Sequence, residues 1–483
     1  MADNDHHGMM ELEGLNPYCS MSLYGEESLG GIREDRFGRM FSHLPPAYTR
    51  PDILAAIGAV GGPMDGKSDD DRTETVPVGL IFFGQFVDHD ITLDASTTFN
   101  SVIDDPGGVE NLRTPTLDLD CIYGLGPEAQ PYLFAQGGAF GGAKLLTGAD
   151  NPGQAGLADH DLLRSPNGRA IIGDPRNDEN RVISQIQLAI IRFHNHVCDV
   201  LNAEHGYEGH DLYEEARREV TWHYQYALVN DFLTAICGTP VVRRILGCGR
   251  QFYCGSVPYI PVEFSVAAYR FGHSMIPMKV QTRKGGPRLE LFGATLGGGF
   301  DPVSDAKAVV DWHELLFTSE GRQVERAQKL DLKLAGDLLN LPFVTGSAAE
   351  KSLATRNLLR GNAFLLPGGE KIAADIGCES KQIDKVVKRI AKANGDLGKD
   401  GIPLWLYLLA EAEVIGRAEA NGSDKEGEAL GPVGATIVAE VLIGLLELDD
   451  RSYLGANRNW IPRDEWNTLG KLVTVAQPTL PSI

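Results

Sequence analysis

The sequence predicts one large, mainly α-helical domain with little β structure, and three observations support this fold class. Apolar residues recur at helical spacing, most clearly over residues 183–203, where Ile183, Ile186, Ile190, Val197 and Leu201 follow steps of three, four and seven. Few segments show the period-two alternation of half-buried strands. No fixed repeat, long linker or composition break divides the 483 residues.

Further helices are predicted at residues 211–247, 303–318, 325–340, 380–394, 403–422 and 433–447. The last of these begins at a Gly-Pro pair, which is typical of a helix start. Before residue 76 the chain is rich in glycine, proline and charge, and residues 61–72 predict a solvated loop. A chain of this length can bury a large core and still enclose a cofactor.

Composition excludes several classes of partner. The chain has 44 basic and 66 acidic residues, a net charge of −22, which repels nucleic acid and anionic lipid surfaces. The longest apolar stretches, around 437–446 and 404–412, are too short to span a bilayer. The first residues lack the basic-then-apolar order of a signal peptide. We therefore expect a soluble protein, with the choice between an extracellular and a cytoplasmic location and the oligomeric state left open.

The seven cysteines include no C-x-x-C pair, so zinc or redox motifs are not indicated. An odd number also implies no complete disulfide framework.

The densest group of chemically active residues is Gln85-Phe-Val-Asp88-His89-Asp90. On a helix, Gln85, Asp88 and His89 share one face because they lie three or four residues apart, while Asp90 is turned away. The segment can therefore present an amide, a carboxylate and a histidine to one pocket. Taken alone, a hydrogen-bonded core histidine is the more common explanation of such a pattern.

A second polar pattern follows about 25 residues later. Thr114, Thr116, Asp118 and Asp120 occupy every second position, so an extended loop would direct their oxygens to one side. Hard oxygen ligands in this number suit Ca²⁺, and Asp90 could complete the set. An acidic turn with capping threonines fits the spacing equally well.

Two more segments combine basic groups with a histidine or a helix start. Arg176 lies just before the helix predicted at 183, where developing negative charge would be stabilised, although a plain loop ending in a helix cap explains this segment better when it is taken alone. In Arg270-Phe-Gly-His273, arginine and histidine are three apart, and Gly272 allows a flat group to approach closely. A neutral histidine with an open face is a common iron ligand.

In this order, the motifs resemble those of the animal-type haem peroxidases, the group of myeloperoxidase and lactoperoxidase within the peroxidase–cyclooxygenase superfamily. The resemblance covers roughly residues 36–460, beginning at Arg39–Tyr48, and Gly-Gln-x-x-Asp-His-Asp at 84–90 is its most specific part. It implies an N-terminal extension at 1–35, a single helical haem peroxidase domain at 36–470 and a C-terminal tail at 471–483.

The resemblance implies haem b and Ca²⁺ as cofactors and gives each residue a role. His89 matches the distal base, Arg176 the distal arginine and Gln85 a residue that lines the distal pocket. His273 matches the histidine that ligates the haem iron, and Asn357 the asparagine hydrogen-bonded to it. The remaining matches are Asp88 and Glu179, as ester links to haem; Arg270 and Arg360, as haem-side arginines; and Asp90, Thr114, Thr116, Asp118 and Asp120, as calcium ligands.

Three departures from the family pattern qualify these matches. Asn180 stands where myeloperoxidase has the methionine of a sulfonium link, so that bond is not expected. Asp120 replaces the usual serine, which should strengthen Ca²⁺ binding. The segment between Asp94 and Thr114 lacks the cysteine-rich insert of the vertebrate enzymes, so the chain resembles a minimal, bacterial member. Whether the ester bonds form stays open.

The resemblance implies an oxidoreductase that reduces hydrogen peroxide, with His89 moving a proton between the peroxide oxygens and Arg176 stabilising negative charge. Halide, thiocyanate and small phenolic compounds are the expected donors, with no nucleic acid partner. One alternative is a fatty-acid dioxygenase of the same superfamily, although residues 300–321, the stretch that corresponds to the helix of its radical tyrosine, contain no tyrosine. The other is a haem- and calcium-binding adhesion or matrix module, which would need neither His89 nor Arg176.

Overall fold

Helices dominate the described part of the chain. The computed structural model describes residues 37–67, 70–93, 103, 109, 111–318, 323–395, 397 and 401–483, so the extension predicted at 1–35 lies outside it. The α-helices are α1 Pro51–Gly58, α2 Val78–Ile91, α3 Asp120–Tyr123, α4 Arg181–His205, α5 Gly209–Ala227, α6 Thr234–Cys237, α7 Thr239–Cys248, α8 Gly272–Met275, α9 Trp312–Leu315, α10 Ala348–Lys351, α11 Leu353–Ala363, α12 Gly369–Asp375, α13 Ser380–Ala393, α14 Leu404–Val414, α15 Pro432–Leu448, α16 Tyr453–Ala456 and α17 Leu469–Thr474.

The β structure among these residues consists of short pairs. The strands are β1 Phe37–Gly38, β2 Arg72–Pro77, β3 Ile260–Pro261, β4 Lys279–Val280, β5 Leu289–Glu290, β6 Arg326–Gln328, β7 Arg417–Ala418 and β8 Asp424–Lys425. β1 pairs in parallel with β3, while β2–β6, β4–β5 and β7–β8 are antiparallel. The predicted mainly helical fold class is therefore confirmed.

Three predicted helices match closely: α4, α13 and α15 begin and end within two residues of the expected 183–203, 380–394 and 433–447. The region 211–247 is helical but divided, because Gly238 adopts a positive φ of 84° between α6 and α7, and a π-helical segment, Leu228–Leu233, follows α5. The helix expected at 403–422 ends at Val414, before the β7–β8 hairpin.

The helices predicted at 303–318 and 325–340 are wrong. The first region holds only a 3₁₀ turn, Ala306–Ala308, and the one-turn α9; the second holds β6 and a 3₁₀ turn, Gly336–Leu339. In the second region the amides donate to distant carbonyls, Leu330 to Gly427 and Leu334 to Met64. Tertiary hydrogen bonds therefore replace the local helical ones, overriding the apolar spacing.

The core is built around two almost completely buried helices, α14 and α15, whose residues Leu404–Ala412 and Val433–Leu446 are enclosed on all sides. The long helix α4 packs against α5 and α2, and α2 also packs against α8. β2 leads directly into α2, and its pairing with β6 fixes where that helix starts. No helix among the described residues has both the length and the apolar character of a membrane span.

The C-terminal residues pack on the rest of the chain. Helix α17 crosses the boundary predicted at 470/471 and contacts α4 and α9. Beyond it, Gln477 Nε2 donates to the Val310 carbonyl at 2.8 Å. The domain boundaries themselves stay predictions.

Candidate active site

Helix α2 carries the distal residues that the sequence singled out. All of its side chains are buried except those of Gln85 and Asp88, which are half-buried and lie three residues apart on one face. His89 lies next to them and is 6% exposed. Asp90 faces the opposite way, where its Oδ2 accepts from the Tyr224 hydroxyl at 3.2 Å. Asp90 therefore lies on the opposite side of α2 from Gln85, Asp88 and His89, as the helical period predicts.

His89 is held in a nearly dry environment. Its Nδ1 lies 2.7 Å from Asn177 Oδ1. Burial, and next the positive charge of Arg176, lower the pKa of His89 from 6.5 to about 4. The imidazole is consequently neutral over the ordinary pH range, as a proton acceptor must be.

Arg176 lies in a short 3₁₀ turn, Pro175–Asp178, that Asp174 caps. Its Nη2 donates to Asp174 Oδ2 at 2.7 Å and to the carbonyls of Thr92 at 2.7 Å and His89 at 3.0 Å. Burial alone would raise the pKa of Asp174, but Arg176 and Arg113 hold it well below its usual range. Arg176 is thus hydrogen-bonded to the last turn of α2, through His89, and to the residue that follows the helix, Thr92.

Glu179 and Asp88 lie beside the half-buried face of α2. Gln85 Nε2 donates to Glu179 Oε1, and Thr92 Oγ1 donates to Asp88 Oδ1 at 3.1 Å. Burial raises the pKa of Glu179 to about 7, while the nearby Arg176 opposes that rise.

His273 lies at the start of α8, and the chain around it is not one regular helix. A π-helical segment, Glu263–Ala267, and a 3₁₀ segment, Ala268–Phe271, precede α8. Residues three apart lie on the same side of a 3₁₀ or an α-helical turn, so the change of helix type still leaves Arg270 and His273 facing one neighbour. Both side chains are half-buried and meet at one partner, Asn357.

Asn357 links the two predicted haem-side residues. Its Nδ2 lies 2.8 Å from His273 Nδ1, and its Oδ1 accepts from Arg270 Nη1 at 3.1 Å. A neutral histidine that binds iron through Nε2 must carry its proton on Nδ1. In the structure the amide nitrogen of Asn357 faces His273 Nδ1. Iron ligation therefore requires the amide of Asn357 to be turned over, so that Nδ1 donates to its oxygen. Arg360, one turn further along α11, has its guanidinium 5.6 Å from the centre of the Phe364 ring.

An acidic cluster, formed by Asp90, Asp118 and Asp120, lies on the far side of α2. One carboxylate oxygen of each residue lies within 4.8 Å of the others. Burial alternates along this loop: Pro115, Leu117 and Leu119 are buried, whereas Thr114 is exposed and Thr116, Asp118 and Asp120 are half-buried. Thr114 Oγ1 lies 3.4 Å from Asp118 Oδ1.

Comparison with known proteins decides the family. The model of the animal haem peroxidase family matches residues 103–362, more than half of the chain. The chain belongs to this family. It is 25% identical to thyroid peroxidase of Canis lupus familiaris over 340 residues (62% of the chain, 34% of that protein) and 31% identical to eosinophil peroxidase of Mus musculus over 265 residues (50% and 35%). It thus spans about a third of the length of these two relatives.

The fold of this peroxidase family member has solved counterparts. Peroxidase A from Dictyostelium discoideum aligns with a TM-score of 0.64 at 16% identity, covering 94% of this chain and 95% of that one. A fatty acid alpha-dioxygenase of Oryza sativa aligns with a TM-score of 0.60 at 17% identity, covering 92% and 80%. At such low identity these likenesses establish the fold alone.

Membership of the family implies haem, and the donor set fits it. Several of the residues expected around the group are half-buried: Gln85 and Asp88 on α2, Arg176 and Glu179 at the turn, His273 on α8 and Arg360 on α11. The hydroxyl of Tyr269, next to Arg270, is fully buried and has no hydrogen-bond partner among the described residues. A buried polar atom left in this way is typical of a site that a ligand completes.

The acidic cluster fits a divalent cation. Burial, and then repulsion from Asp120 and Asp118, raises the pKa of Asp90, and burial raises that of Asp120 to about 7. Asp120 Oδ1 is buried with no hydrogen-bond partner among the described residues. Arg113 Nη1, 3.4 Å from Asp120 Oδ2, neutralises only part of the negative charge.

Four residues of the site were missed by sequence reasoning: Arg113, Asp174, Asn177 and Gln187. Asp174 and Asn177 flank Arg176, so its sequence neighbourhood offered a signal. Gln187 lies four residues after Ile183 and three before Ile190, a polar residue on the apolar stripe of α4. Arg113 carried no signal, because only the fold brings it to Asp174 and Asp120.

Proposed function

We propose that this chain is a haem peroxidase in which His89 and Arg176 act on hydrogen peroxide. The observation that carries this proposal is the position of a buried, neutral histidine next to an arginine that is hydrogen-bonded to the same helix, beside the half-buried face of α2. A structural haem site needs neither group. The family and its peroxidase relatives support the same activity.

In the proposed reaction, His89 Nε2 accepts the proton of the peroxide oxygen that remains and returns it to the departing oxygen, which leaves as water. Arg176 stabilises the negative charge that grows on the departing oxygen. When bound, the haem supplies the two electrons that break the O–O bond. Each of these protein groups returns to its starting state in the full cycle.

His273 would hold the haem iron, and Asn357 would orient the imidazole. An amide partner makes this histidine a weaker electron donor than a carboxylate would, which favours a higher iron potential. We therefore propose halide or thiocyanate, and small phenols, as the donors. Asp88 and Glu179 are proposed as ester links to haem, and Gln85 as a residue of the pocket that positions Glu179.

We further propose that the acidic cluster binds Ca²⁺. Asp90, Asp118 and Asp120 supply the carboxylates, and Thr114 and Thr116 precede Asp118 and Asp120 at the same two-residue spacing. Six to eight oxygen ligands are usual for this ion, so backbone carbonyls or water would complete the shell.

The test is the optical spectrum of the haem-loaded protein before and after hydrogen peroxide, followed by acidified-solvent extraction. A rapid spectral change in the wild type, lost in His89→Ala with haem retained, supports the peroxidase. His194→Gln is the matched control, since His194 is also buried but bonds Tyr123 and Ala143 away from the pocket. Haem that stays with the protein supports the esters, and haem that extracts freely argues against them. An unchanged rate in His89→Ala would contradict the proposed role.

A second candidate, a fatty-acid dioxygenase, gains from one observation. Residues 300–321 contain no tyrosine, but Tyr269 lies on the other side of His273 in sequence, four residues before it, with its hydroxyl in the core. Oxygen consumption with palmitic acid, abolished by Tyr269→Phe while the peroxide reaction persists, would establish this activity. No oxygen consumption in the wild type would remove it.

A further inference from the structure

We propose that Asn177 and Gln187 are positioning residues that fix His89 in the tautomer with its proton on Nδ1 and its lone pair on Nε2. This inference rests on the proposed function for its catalytic meaning, since a base that accepts a proton from peroxide needs a free ring nitrogen. The three consecutive hydrogen bonds that set the tautomer do not depend on that function.

The direction of the three hydrogen bonds is set by Gln187, the side chain in the series that lies farthest from His89. Gln187 Nε2 donates to the backbone carbonyl of Cys121 at 3.0 Å. A carbonyl oxygen carries no hydrogen, so it can only accept, and the amide of Gln187 must present its nitrogen there. Gln187 Oε1 is therefore directed the other way.

The next two bonds follow from the first. Gln187 Oε1 accepts from Asn177 Nδ2 at 2.8 Å, which leaves Asn177 Oδ1 as the atom that faces His89 Nδ1 at 2.7 Å. Since Oδ1 can only accept, Nδ1 must carry the ring proton. In a neutral imidazole the other nitrogen, Nε2, then holds the lone pair.

Burial prevents an easy reversal. Asn177 and Gln187 have no exposed surface, so water cannot replace a lost partner. Turning the two amides over would set Gln187 Oε1 against the Cys121 carbonyl, and would direct an N–H of Asn177 at the ring. Two oxygens would then oppose each other in a dry interior, an arrangement that costs the desolvation of both.

The three bonds also join separate parts of the fold. Asn177 belongs to the turn that carries Arg176, Gln187 to α4 and Cys121 to α3, directly after Asp120 of the acidic cluster. The orientation of the base is thus determined by three elements packed around α2, rather than by α2 itself.

The test is ¹⁵N NMR of the full chain, labelled at histidine and loaded with diamagnetic zinc protoporphyrin, at neutral pH. The His89 ring is identified by the signals that disappear in His89→Gln. We expect the proton on Nδ1 in the wild type. Asn177→Leu, which keeps the side-chain size but has no acceptor, should lose this preference, whereas Asn177→Asp keeps the acceptor and should retain it. Gln187→Met should shift the tautomer population partway.

The second readout is the rate constant of the haem-loaded protein with hydrogen peroxide. We expect a fall of about 100-fold in Asn177→Leu, a general-base contribution of the usual size, and rescue to within about tenfold in Asn177→Asp. Asn195→Leu is the control, because it removes two hydrogen bonds to Leu145 from the same helix as Gln187, away from the pocket. It should change neither readout.

The outcomes separate the two proposals. A wild-type His89 with its proton on Nε2, or an Asn177→Leu variant with unchanged tautomer and rate, overturns the positioning role. If the wild type shows the expected tautomer but does not react with peroxide, the proposed function fails while the positioning chain stands. Should Asn177→Leu not fold, the wild-type tautomer together with Asn177→Asp and Gln187→Met still decides.

Discussion

Asp174 should be the most sensitive acidic residue of the site, and Asp174→Asn tests this. The carboxylate has no exposed surface and accepts from Arg113 Nε at 3.1 Å and from Arg176 Nη2 at 2.7 Å. Both of these donors bind Oδ2, and Oδ1 accepts from the backbone amide of Arg176 at 2.9 Å and from its Nε at 3.1 Å, so in the variant the new amide nitrogen faces a donor whichever way the side chain turns. The charge that balances two buried guanidinium groups is lost at the same time.

The magnitude follows from what the two arginines keep. Removing one partner of a buried ion pair costs about 3–5 kcal/mol. Arg113 retains Asp120 and the Gly173 carbonyl, and Arg176 retains the His89 and Thr92 carbonyls, so we expect the lower end, about 3 kcal/mol of unfolding free energy. Because Arg176 stays in place but less firmly, the peroxide rate constant should fall on the order of tenfold, less than the loss of a whole donor.

The sign of the pH dependence is fixed by the direction of the pKa shift. The pKa of Asp174 in the folded chain lies below the ordinary value of an aspartate, 3.8, so its stabilisation is present above that pH and declines as the carboxylate protonates. The difference in stability between wild type and Asp174→Asn should therefore be constant near neutral pH and shrink in acid.

The assays are urea denaturation of both proteins and stopped-flow mixing with peroxide. Asp178→Asn is the matched control: Asp178 lies in the same turn and pairs with Arg164 at 2.7 Å, but it touches neither Arg176 nor His89. Burial raises the pKa of Asp178, so removing its charge should cost less stability and leave the rate unchanged. A loss below about 1 kcal/mol in Asp174→Asn, far under the range for a broken buried pair, or an equal rate loss in both variants, would refute the reasoning.

Burial and charge elsewhere give three further expectations. With the pKa of His89 at about 4, the peroxide rate constant should be level around neutral pH and fall only in acid as the ring protonates. A stopped-flow profile whose acid limb lies near 6.5, the ordinary pKa of a histidine, would contradict this. Because the pKa of Asp120 is raised to about 7, Ca²⁺ binding should release protons and strengthen with pH up to that value; calorimetry showing pH-independent affinity would argue against Asp120 as a ligand. Glu411 caps α15 by accepting from the Val433 amide at 2.9 Å, and burial raises its pKa from 4.5 to about 8. The free energy of unfolding should therefore fall as pH rises across that interval. Glu411→Gln should reduce this fall in urea denaturation, and an unchanged pH dependence would speak against Glu411 as its source.

Apolar periodicity predicted the long helices because their faces are buried by neighbours at the same spacing. It failed for 303–318 and 325–340, where the amides of Leu330 and Leu334 find partners far away in sequence. It also missed α1, α11 and α12, which are short and lie among glycine, proline or polar residues. Local pattern therefore identifies elements that satisfy their own hydrogen bonds, and not those that depend on distant carbonyls.

For the site, spacing was informative where one element carries several groups. Gln85, Asp88 and His89 share a face as the helical period requires, and the carboxylates of Asp118 and Asp120, two residues apart, lie close together. The contact of Asn357 with His273 was implied only by family resemblance, and the structure brings the two together at 2.8 Å. Arg113 could not be identified, because a single arginine in a loop has no local pattern that specifies its partners.

The ion-pair sequence Asp120–Arg113–Asp174–Arg176 has a consequence for ligand binding. The first carboxylate belongs to the acidic cluster and the last guanidinium to the peroxide pocket, with Asp174 shared between the two arginines. Binding at the two sites is reciprocal: if an ion at the cluster changes the affinity of Arg176 for an anion by some factor, the anion changes the affinity of the cluster for the ion by the same factor. Saturating the pocket with a small anion should therefore shift the calcium titration, and the size of that shift measures the coupling free energy between the two sites.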